Sequence, residues 1–497
     1  MSALSDRTRL ALAVLGAAIS LGAAGDVLLR ATPWGLNALL CTAALVTLGA
    51  WIVRRWRIAV SREAPWLGVT ALLLGSNFAA RDSAALRALD GLGLVITLSV
   101  AALALRGVAL RGRHTWEYGR AALATVTSAC GGVFPLVGRD VQWSELPSRG
   151  ALRHARAAGA GTLLAFPLLL VFGALFASAD AVFSDVIAGM FAVDFTAVAS
   201  HTFFIALCAA LAGGYLRGAL LRPAPPPRAV DGHGPSLSIV SVGTTLGLIN
   251  LLFLLFVVVQ LRYFFGGAGL VQATTGLTYA EYARRGFFEL VTASALVLPI
   301  LLATDWVVRD ESREDRRTFR YLAGLLLALL AVVMASALER MRLYVKEFGL
   351  SEIRLYSTAF MVYLASVFAW FSWTVLRGRR RRFAFGALVQ GFAVLAGLHL
   401  LSPDAFIVRT NLARPATHRP FDAAYAASLS ADAVPELLAA FPQLDEREKC
   451  LAAARLLGRW TRDDDWRTWN LSRARARRRV REQEATLRAL SCKESGS

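Results

Sequence analysis

The feature that most constrains this chain is a series of apolar blocks, each about twenty residues long and almost free of charge. A helix of that length crosses the hydrocarbon core of a bilayer, which is roughly 30 Å thick. No water is available there to bind free backbone groups, so a spanning segment must be a helix or part of a closed barrel. The blocks are continuous rather than alternating, which excludes the barrel. The sequence therefore predicts an all-α fold, a polytopic transmembrane helical bundle.

The hydrophobic blocks predict about eleven spans, of which the third is the weakest: 10–29, 34–53, 65–80, 87–105, 158–178, 198–220, 237–261, 286–308, 321–340, 355–376 and 383–401. A twelfth candidate, 118–137, is the least hydrophobic. If this segment does not cross and the N-terminus is cytoplasmic, the inner loops carry well over twice as many Lys and Arg residues as the outer loops, as the positive-inside rule requires. We therefore predict that 118–137 is re-entrant or interfacial and that the C-terminus lies outside.

The same pattern divides the chain into four parts: an N-terminal membrane half of about six spans (1–221), a Pro-rich cytoplasmic linker (222–236), a C-terminal membrane half of about five spans (237–401) and a helical extramembrane tail (402–497). Pro-rich stretches are extended and semi-rigid, so 222–236 reads as a spacer. In the tail, 422–429, 432–441, 445–460 and 463–490 are predicted to be helices, with Ser430, Asp432 and Asp463 as N-caps.

Composition excludes several classes of function. A net charge of +19 would suggest nucleic acid in a soluble protein, but here arginines flank the spans, so we expect no nucleic-acid partner. The six histidines are scattered and there is no Cys-x-x-Cys, so no metal or other cofactor is expected. Cys450 and Cys492 lie in the tail, and the sequence leaves open whether they pair. No catalytic motif is present, so an enzyme is the least favoured class.

Two charged clusters are predicted at the outer membrane face. The first opens the eighth span and contributes Glu281, Arg284, Arg285 and Glu289, with Thr278 and Glu281 forming a capping box. The second is a helical hairpin between the ninth and tenth spans, turning at Gly349 and capped at Ser351, and it contributes Arg340, Arg342, Glu347, Arg354 and Tyr356. Acids near the hydrocarbon boundary need a partner or a role, so these nine residues form the candidate polar pocket.

Two interpretations of these clusters remain open. In the first, the charged residues pair with one another and form a rigid polar cap that clamps three spans. In the second, they form a basic-rimmed, outward-open pocket for a small anionic solute or an anionic lipid headgroup.

Several longer motifs resemble a bacterial integral membrane family. They are Tyr279-x-Glu-Tyr-x-Arg-Arg-Gly-Phe-Phe-Glu-Leu290, Arg342-Leu-Tyr-x4-Gly-Leu-x3-Arg-Leu-Tyr356, Pro403-Asp404 with Asn411, Asp422-x-x-Tyr425, Asp432-Ala-Val-Pro435 and Trp469-Asn-Leu-Ser-Arg473. The chain resembles the domain of unknown function numbered 4173, related to 4153, over about 150–480. The resemblance implies a multi-pass protein of the bacterial inner membrane, and it implies no activity, ligand or catalytic residue.

Two functions follow as hypotheses. The first is handling of an anionic solute or lipid at the outward-facing pocket. The second is a membrane sensor or scaffold whose tail binds an envelope partner of unknown identity.

Overall fold

The protein is described from a computed structural model. The structure describes residues 4–145, 195–223, 237–275, 287–307, 313–414, 421–461 and 465–490, together with scattered positions between 158 and 183; of 261–275 it describes only the backbone. The described residues leave out most of the predicted linker and of the predicted fifth span, the predicted caps Thr278 and Asp463, and the pocket residues Glu281, Arg284 and Arg285.

The membrane region consists of helices in the order that the hydrophobic blocks predict. They are α1 (Asp6–Leu29), α2 (Leu36–Arg55), α3 (Ala64–Ala80), α4 (Ala84–Leu105), α5 (Thr115–Gly131), α6 (Val133–Pro135, continued by a π-helical turn to Asp140), α7 (Phe195–Leu220), α8 (Ile239–Thr275), α9 (Phe287–Val307), α10 (Arg313–Phe348), α11 (Glu352–Thr374) and α12 (Phe383–Leu401). Among the described residues, nine helices are long and apolar enough to cross a bilayer, whereas α3 is shorter at 17 residues. The predicted polytopic helical class is confirmed.

The tail is helical as well. Its elements are α13 (Pro403–Leu412), α14 (Ala423–Ser428), α15 (Val434–Ala440), α16 (Glu446–Trp460), α17 (Leu471–Glu482) and α18 (Glu484–Leu490). The last predicted helix, 463–490, is wrong in its extent, because a short 3-10 turn at Trp466–Thr468 precedes α17 and the side chain of Asn470 caps that helix at Arg473 N, 3.0 Å away.

Apolar cores lie within each part of the molecule. Ile52, Leu136 and Leu216 are fully buried in the N-terminal half, whereas Leu301 and Phe371 are fully buried in the C-terminal half. The halves meet where α12 packs on α3 and α4, and the contact includes Leu74, Leu86, Leu395 and Leu398. The tail has its own core, which includes Ile407, Leu437 and Leu456.

The two ends of α1 define two faces of the molecule. At its start, Ser5 N donates to Glu145 Oε2 (2.9 Å) and Arg7 Nη2 lies 2.7 Å from Asp140 Oδ1. At its other end, Val27 O accepts a hydrogen bond from Arg467 of the tail (2.7 Å). The tail and the chain start therefore lie at opposite ends of a 24-residue helix. We call the two ends the tail face and the opposite face.

The segment 118–137 packs against the last turns of α7, where Gly214 and Gly218 approach Ser128. The helix α5 is bent by 61° from the following segment, Val133–Asp140, and both parts pack against α7. Asp140, just beyond the segment, pairs with Arg7 and with Arg217 in the last turn of α7. This arrangement supports a re-entrant segment, and whether it crosses stays a prediction.

The close packing of α1 against α7 depends on Gly22. A Cβ atom there would lie 2.6 Å from Ile205 O and 2.7 Å from Ala209 Cβ, whereas one at Gly16 would meet nothing within 4 Å. We predict that Gly22→Ala forces the two helices apart at a cost of about 1–3 kcal/mol, while Gly16→Ala is neutral or mildly stabilising. The apparent melting temperatures of the purified variants measure the difference, and equal values would contradict this packing.

Candidate functional site: the tail junction

The tail is fastened to three turns of the membrane region. These are the α1–α2 turn at 30–35, the α3–α4 turn at 81–83 and the α10–α11 turn at 349–351. At the first, Leu36 N donates to Trp469 O over 2.8 Å. At the third, Leu350 and Leu355 join the apolar core of the tail. The tail is thus an integral part of this face.

Asp432 lies at the centre of a largely buried polar cluster, the tail junction, which comprises Arg81, Asp82, Ser83, Asp404, Ser430, Asp432, Ser472 and Arg473. Its carboxylate accepts hydrogen bonds from Arg81 Nη1 (3.1 Å), from the Asp82 backbone N–H (2.9 Å) and from Ser472 Oγ (2.6 Å). The side chain is only 3% exposed. A carboxylate at this depth is tolerated because charged and neutral donors replace its water.

Asp82 completes a reciprocal exchange between the α3–α4 turn and the tail. Its backbone N–H donates to Asp432, while its own Oδ2 accepts from Ala431 N (3.2 Å). Arg473 Nε and Arg87 Nη1 lie 3.6 and 3.5 Å from Asp82 Oδ1. Burial raises the pKa of Asp82, and these two guanidinium groups oppose that rise.

Arg81 connects the junction to the end of the last span. Its guanidinium donates to Ser402 Oγ (2.9 Å) and to His399 O (2.8 Å) as well as to Asp432. Ser402 is the residue between α12 and α13 and has a left-handed backbone, with φ of 54°. Arg81 therefore joins the α3–α4 turn to the end of α12 and to Asp432 of the tail.

The tail also caps α3. Asn470 Nδ2 donates to Phe78 O and Arg81 O, both at 2.8 Å. Ser472 Oγ lies 2.9 Å from Ala80 O, which is within reach of the same hydroxyl proton that Asp432 accepts. The last carbonyls of a helix have no partner within the helix, and they lose water wherever the end is covered. The Trp469–Arg473 motif therefore supplies hydrogen-bond donors to the last carbonyl groups of α3.

A second capping contact holds the α10–α11 hairpin. Gly349 has φ of +80° and ends α10, as the sequence predicts. Asn411 accepts from Leu350 N (2.7 Å) and donates to Leu350 O (2.8 Å), and Tyr425 OH accepts from Glu352 N (3.1 Å). Ser351 occupies the N-cap position of α11 but makes no side-chain cap bond. The tail provides that cap instead.

Six of the nine pocket residues lie in the part of the chain that the structure describes, and they occupy different surroundings there. Glu289 is exposed in the first turn of α9, and Glu347 is exposed near the end of α10. Arg340 donates to Gln260 Oε1 (3.0 Å), and Arg342, whose side chain is 80% exposed, lies 3.5 Å from Glu339. Whether these residues bind a ligand stays a prediction.

Arg354 and Tyr356 make contacts within the fold. The guanidinium of Arg354 donates to Phe348 O (3.2 Å) and to Gly349 O, and it stacks 4.0 Å from the centre of the Tyr344 ring. Tyr356 turns toward the tail junction, where its hydroxyl lies 3.1 Å from Ser83 Oγ. Both side chains are thus engaged within the fold, and the cap and pocket interpretations both stay predictions.

Sequence reasoning missed the junction because its members are too far apart along the chain. Asp82 and Asp432 are separated by 350 residues. The available signals were indirect: an Arg-Asp pair in a very short turn between spans, and an Asp that we assigned as an N-cap. Asp432 is not that cap, since Ser430 Oγ accepts from Asp432 N (3.3 Å).

No group of three or more His, Cys, Asp or Glu side chains suited to a metal ion occurs among the described residues. Asp404 is fully buried; its Oδ2 accepts from Ser430 N (3.2 Å), whereas its Oδ1 has no hydrogen-bond partner within the described ranges. Burial raises the pKa of Asp404 to about 6, and the nearby carboxylates of Glu352 and Asp432 add to the rise.

A groove of about 400 Å³ runs between α10 and α11. It is lined almost wholly by apolar side chains: Leu327, Leu330, Ala331, Met334, Ala335 and Leu338 from α10, and Met361, Val362, Ala365, Phe368, Ala369 and Ser372 from α11. The wall on α10 extends over about 16 Å at 1.5 Å per residue, close to half of a bilayer core roughly 30 Å thick. One turn beyond Leu338, on the same stripe, lies Arg342.

These features define a polytopic α-helical membrane protein with a docked extramembrane helical tail. A family model described as "Domain of unknown function (DUF4153)" matches residues 68–440, well over half of the chain, so the chain belongs to that family. The predicted resemblance is confirmed, in the second of the two related families. The match begins in α3 and ends at Ala440, so it leaves out the Trp469–Arg473 motif. No curated protein and no solved structure matches the chain.

The raised pKa of Asp404 predicts a pH-dependent stability. The unfolded carboxyl titrates near pH 4, so between about pH 4 and pH 6 the folded state binds more protons. The contribution of Asp404 is therefore most favourable below about pH 4, falls as pH rises to about 6, and is constant above. Asp404→Asn removes this dependence and stabilises the protein above pH 6 by up to about 3 kcal/mol.

The measurement is the apparent melting temperature of purified full-length protein across that pH range. Asp422→Asn is the matched control, because Asp422 is an exposed tail acid that likewise accepts a backbone N–H, from Tyr425. A lower melting temperature for Asp404→Asn than for the parent at pH 8 would contradict the prediction, because it would show that the ionised carboxylate does not destabilise the folded protein.

Proposed function

We propose that this membrane protein handles an anionic lipid at the tail face, with an acyl chain in the α10–α11 groove and the headgroup at Arg342. The observation that carries the proposal is the continuity of the apolar α10 wall with Arg342. A hydrocarbon chain suits such a wall because burying apolar surface is favourable and no polar group needs to be satisfied. Ser372 alone among the lining residues is polar, and its hydroxyl already donates to Phe368 O (3.0 Å), so a small polar solute would find little to bind.

The positions of the charged residues support a lipid over a free anion. Arg342 is highly exposed and only loosely paired with Glu339, so its guanidinium can reach a phosphate at the headgroup level. Arg354 lies on the continuation of the α11 wall but is already engaged at Phe348, Gly349 and Tyr344. In this proposal Arg354 positions the hairpin and Arg342 binds the ligand.

The side of the membrane is part of the same proposal. Cys450 in the tail is disulfide-bonded, and disulfides persist in oxidising compartments such as the bacterial periplasm. The arginine bias of the loops favours the same orientation. Together these observations support a bacterial inner-membrane protein with a cytoplasmic N-terminus and a periplasmic tail.

A sensor or scaffold whose tail binds an envelope partner has less support. The contacts of Asn411, Tyr425, Asp432 and Asn470 attach the tail to its own membrane region. These side chains are therefore not available to a partner.

The lipid proposal is tested by filling the groove. Ala331→Phe places a ring in it, whereas Ala328→Phe adds the same ring at an exposed α10 position outside it. Native mass spectrometry of the purified protein with added phosphatidylglycerol should show weaker binding for Ala331→Phe than for Ala328→Phe.

A second pair of variants tests the headgroup. Arg342→Gln should weaken phosphatidylglycerol binding about fivefold, since an arginine near an anionic lipid contributes about 1 kcal/mol. Arg478→Gln removes a similarly exposed tail arginine and should leave binding unchanged. Parent-like binding in both Ala331→Phe and Arg342→Gln would overturn the proposal.

A further inference from the structure

A second groove, of about 810 Å³, lies at the opposite face between the α4–α5 loop, the end of α11 and the start of α12. Its rim carries Arg111, Arg381 and Arg382. Its wall is formed by Trp370, Phe385 and Val389. A cationic rim above an aromatic and aliphatic wall is unlike the α10–α11 groove, whose lining is almost wholly apolar.

The three rim arginines are available to a ligand. Arg111, Arg381 and Arg382 are exposed, and no ion pair is found for them within the described part of the chain. Their neighbours are engaged: Arg380 Nε lies 3.1 Å from Asp305 Oδ1, and Arg113 pairs with Glu117.

Positive charge is concentrated at this rim. Burial lowers the pKa of His114, and the charges of Arg381 and Arg380 lower it further, against an opposing effect of Glu117. Such a local excess of positive charge attracts an anion.

The wall of this groove is itself a flat, mostly apolar surface. Trp370 packs directly over Gly386, where any Cβ would overlap its ring, and its indole Nε1 donates to Phe383 O (3.2 Å). Arg111 lies 5.5 Å from the centre of the Phe385 ring, which orients that guanidinium over the wall. Val389, one turn along α12 from Phe385, is 48% exposed and continues the wall toward the membrane interior.

We propose that this groove is a binding site for an anionic phospholipid, with the phosphate held by Arg111, Arg381 and Arg382 and an acyl chain along Trp370, Phe385 and Val389. The wall selects a lipid over a soluble phosphate, because a soluble ion would leave that apolar surface exposed. Basic pockets between spans are a recurrent way of holding such headgroups. The site goes beyond the proposed function and shares no residue with it.

The test compares two triple variants of the full-length protein. One replaces Arg111, Arg381 and Arg382 with Gln; the control replaces Arg54, Arg57 and Arg62, which are exposed at the same face outside the groove. Native mass spectrometry with added phosphatidylglycerol should show one lipid site weakened about a hundredfold in the first variant, or about fivefold per arginine. The control variant should bind phosphatidylglycerol like the parent. Both triple variants should bind phosphatidylethanolamine like the parent.

Three outcomes would overturn the site. They are equal loss in both triple variants, which indicates a general surface charge effect; unchanged binding in the groove variant; and complete displacement of the lipid by glycerol phosphate, which indicates a soluble-anion site. Because Ala331→Phe and Arg342→Gln affect the other groove, failure of one proposal leaves the other measurable.

A photoreactive residue at Val389 provides a test that does not depend on the arginine variants. In vesicles containing both phosphatidylglycerol and phosphatidylethanolamine, cross-linking should favour the anionic lipid beyond its share of the bilayer. Cross-links in proportion to the bilayer composition would contradict the site.

Discussion

The exchange of hydrogen bonds between Asp82 and Asp432 is the interaction on which the arrangement of the tail face depends. Each residue accepts a backbone N–H from the other side, Arg81 and Ser472 also donate to Asp432, and Arg473 lies at ion-pair distance from Asp82. A buried ion pair by itself is weak evidence of net stability, since desolvation opposes the attraction. Removing one partner is nevertheless costly, because it leaves the other charge buried. Such a network therefore fixes one geometry of the tail.

That geometry has consequences across the molecule. Through Arg81 and Ser402 it orients the end of α12, and through Tyr356 and Ser83 it reaches α11. Asn411 and Tyr425 of the tail bind the backbone of the α10–α11 hairpin at Leu350 and Glu352. The groove between these two helices therefore ends near a hairpin that the tail contacts directly, and Arg342 lies one helical turn beyond the last α10 residue that lines it.

The spans could be predicted from the sequence, because hydrophobic length and the cost of bare backbone in lipid leave few alternatives. The turn at Gly349 was also predictable, since it rests on local chemistry. The contact of Asp82 with Asp432 was not, because no local pattern joins residues from a membrane turn and a distant tail. Arg354 was placed in the candidate pocket on its charge and position, and only the structure shows its cation–π stacking on Tyr344. In the tail, Ser430 is an N-cap as predicted, whereas the cap of α17 is Asn470, which the sequence pattern did not single out.

The central claim is that the tail is locked to the membrane region through Arg81 and Asp432. A double-mutant cycle measures this directly: Arg81→Ala, Asp432→Ala and the double variant are compared with the parent by thermal unfolding of the full-length protein. The account predicts a coupling of about 1–3 kcal/mol, with the double variant less destabilised than the sum of the single variants. Strictly additive effects would mean that the two side chains act independently, and would contradict the account.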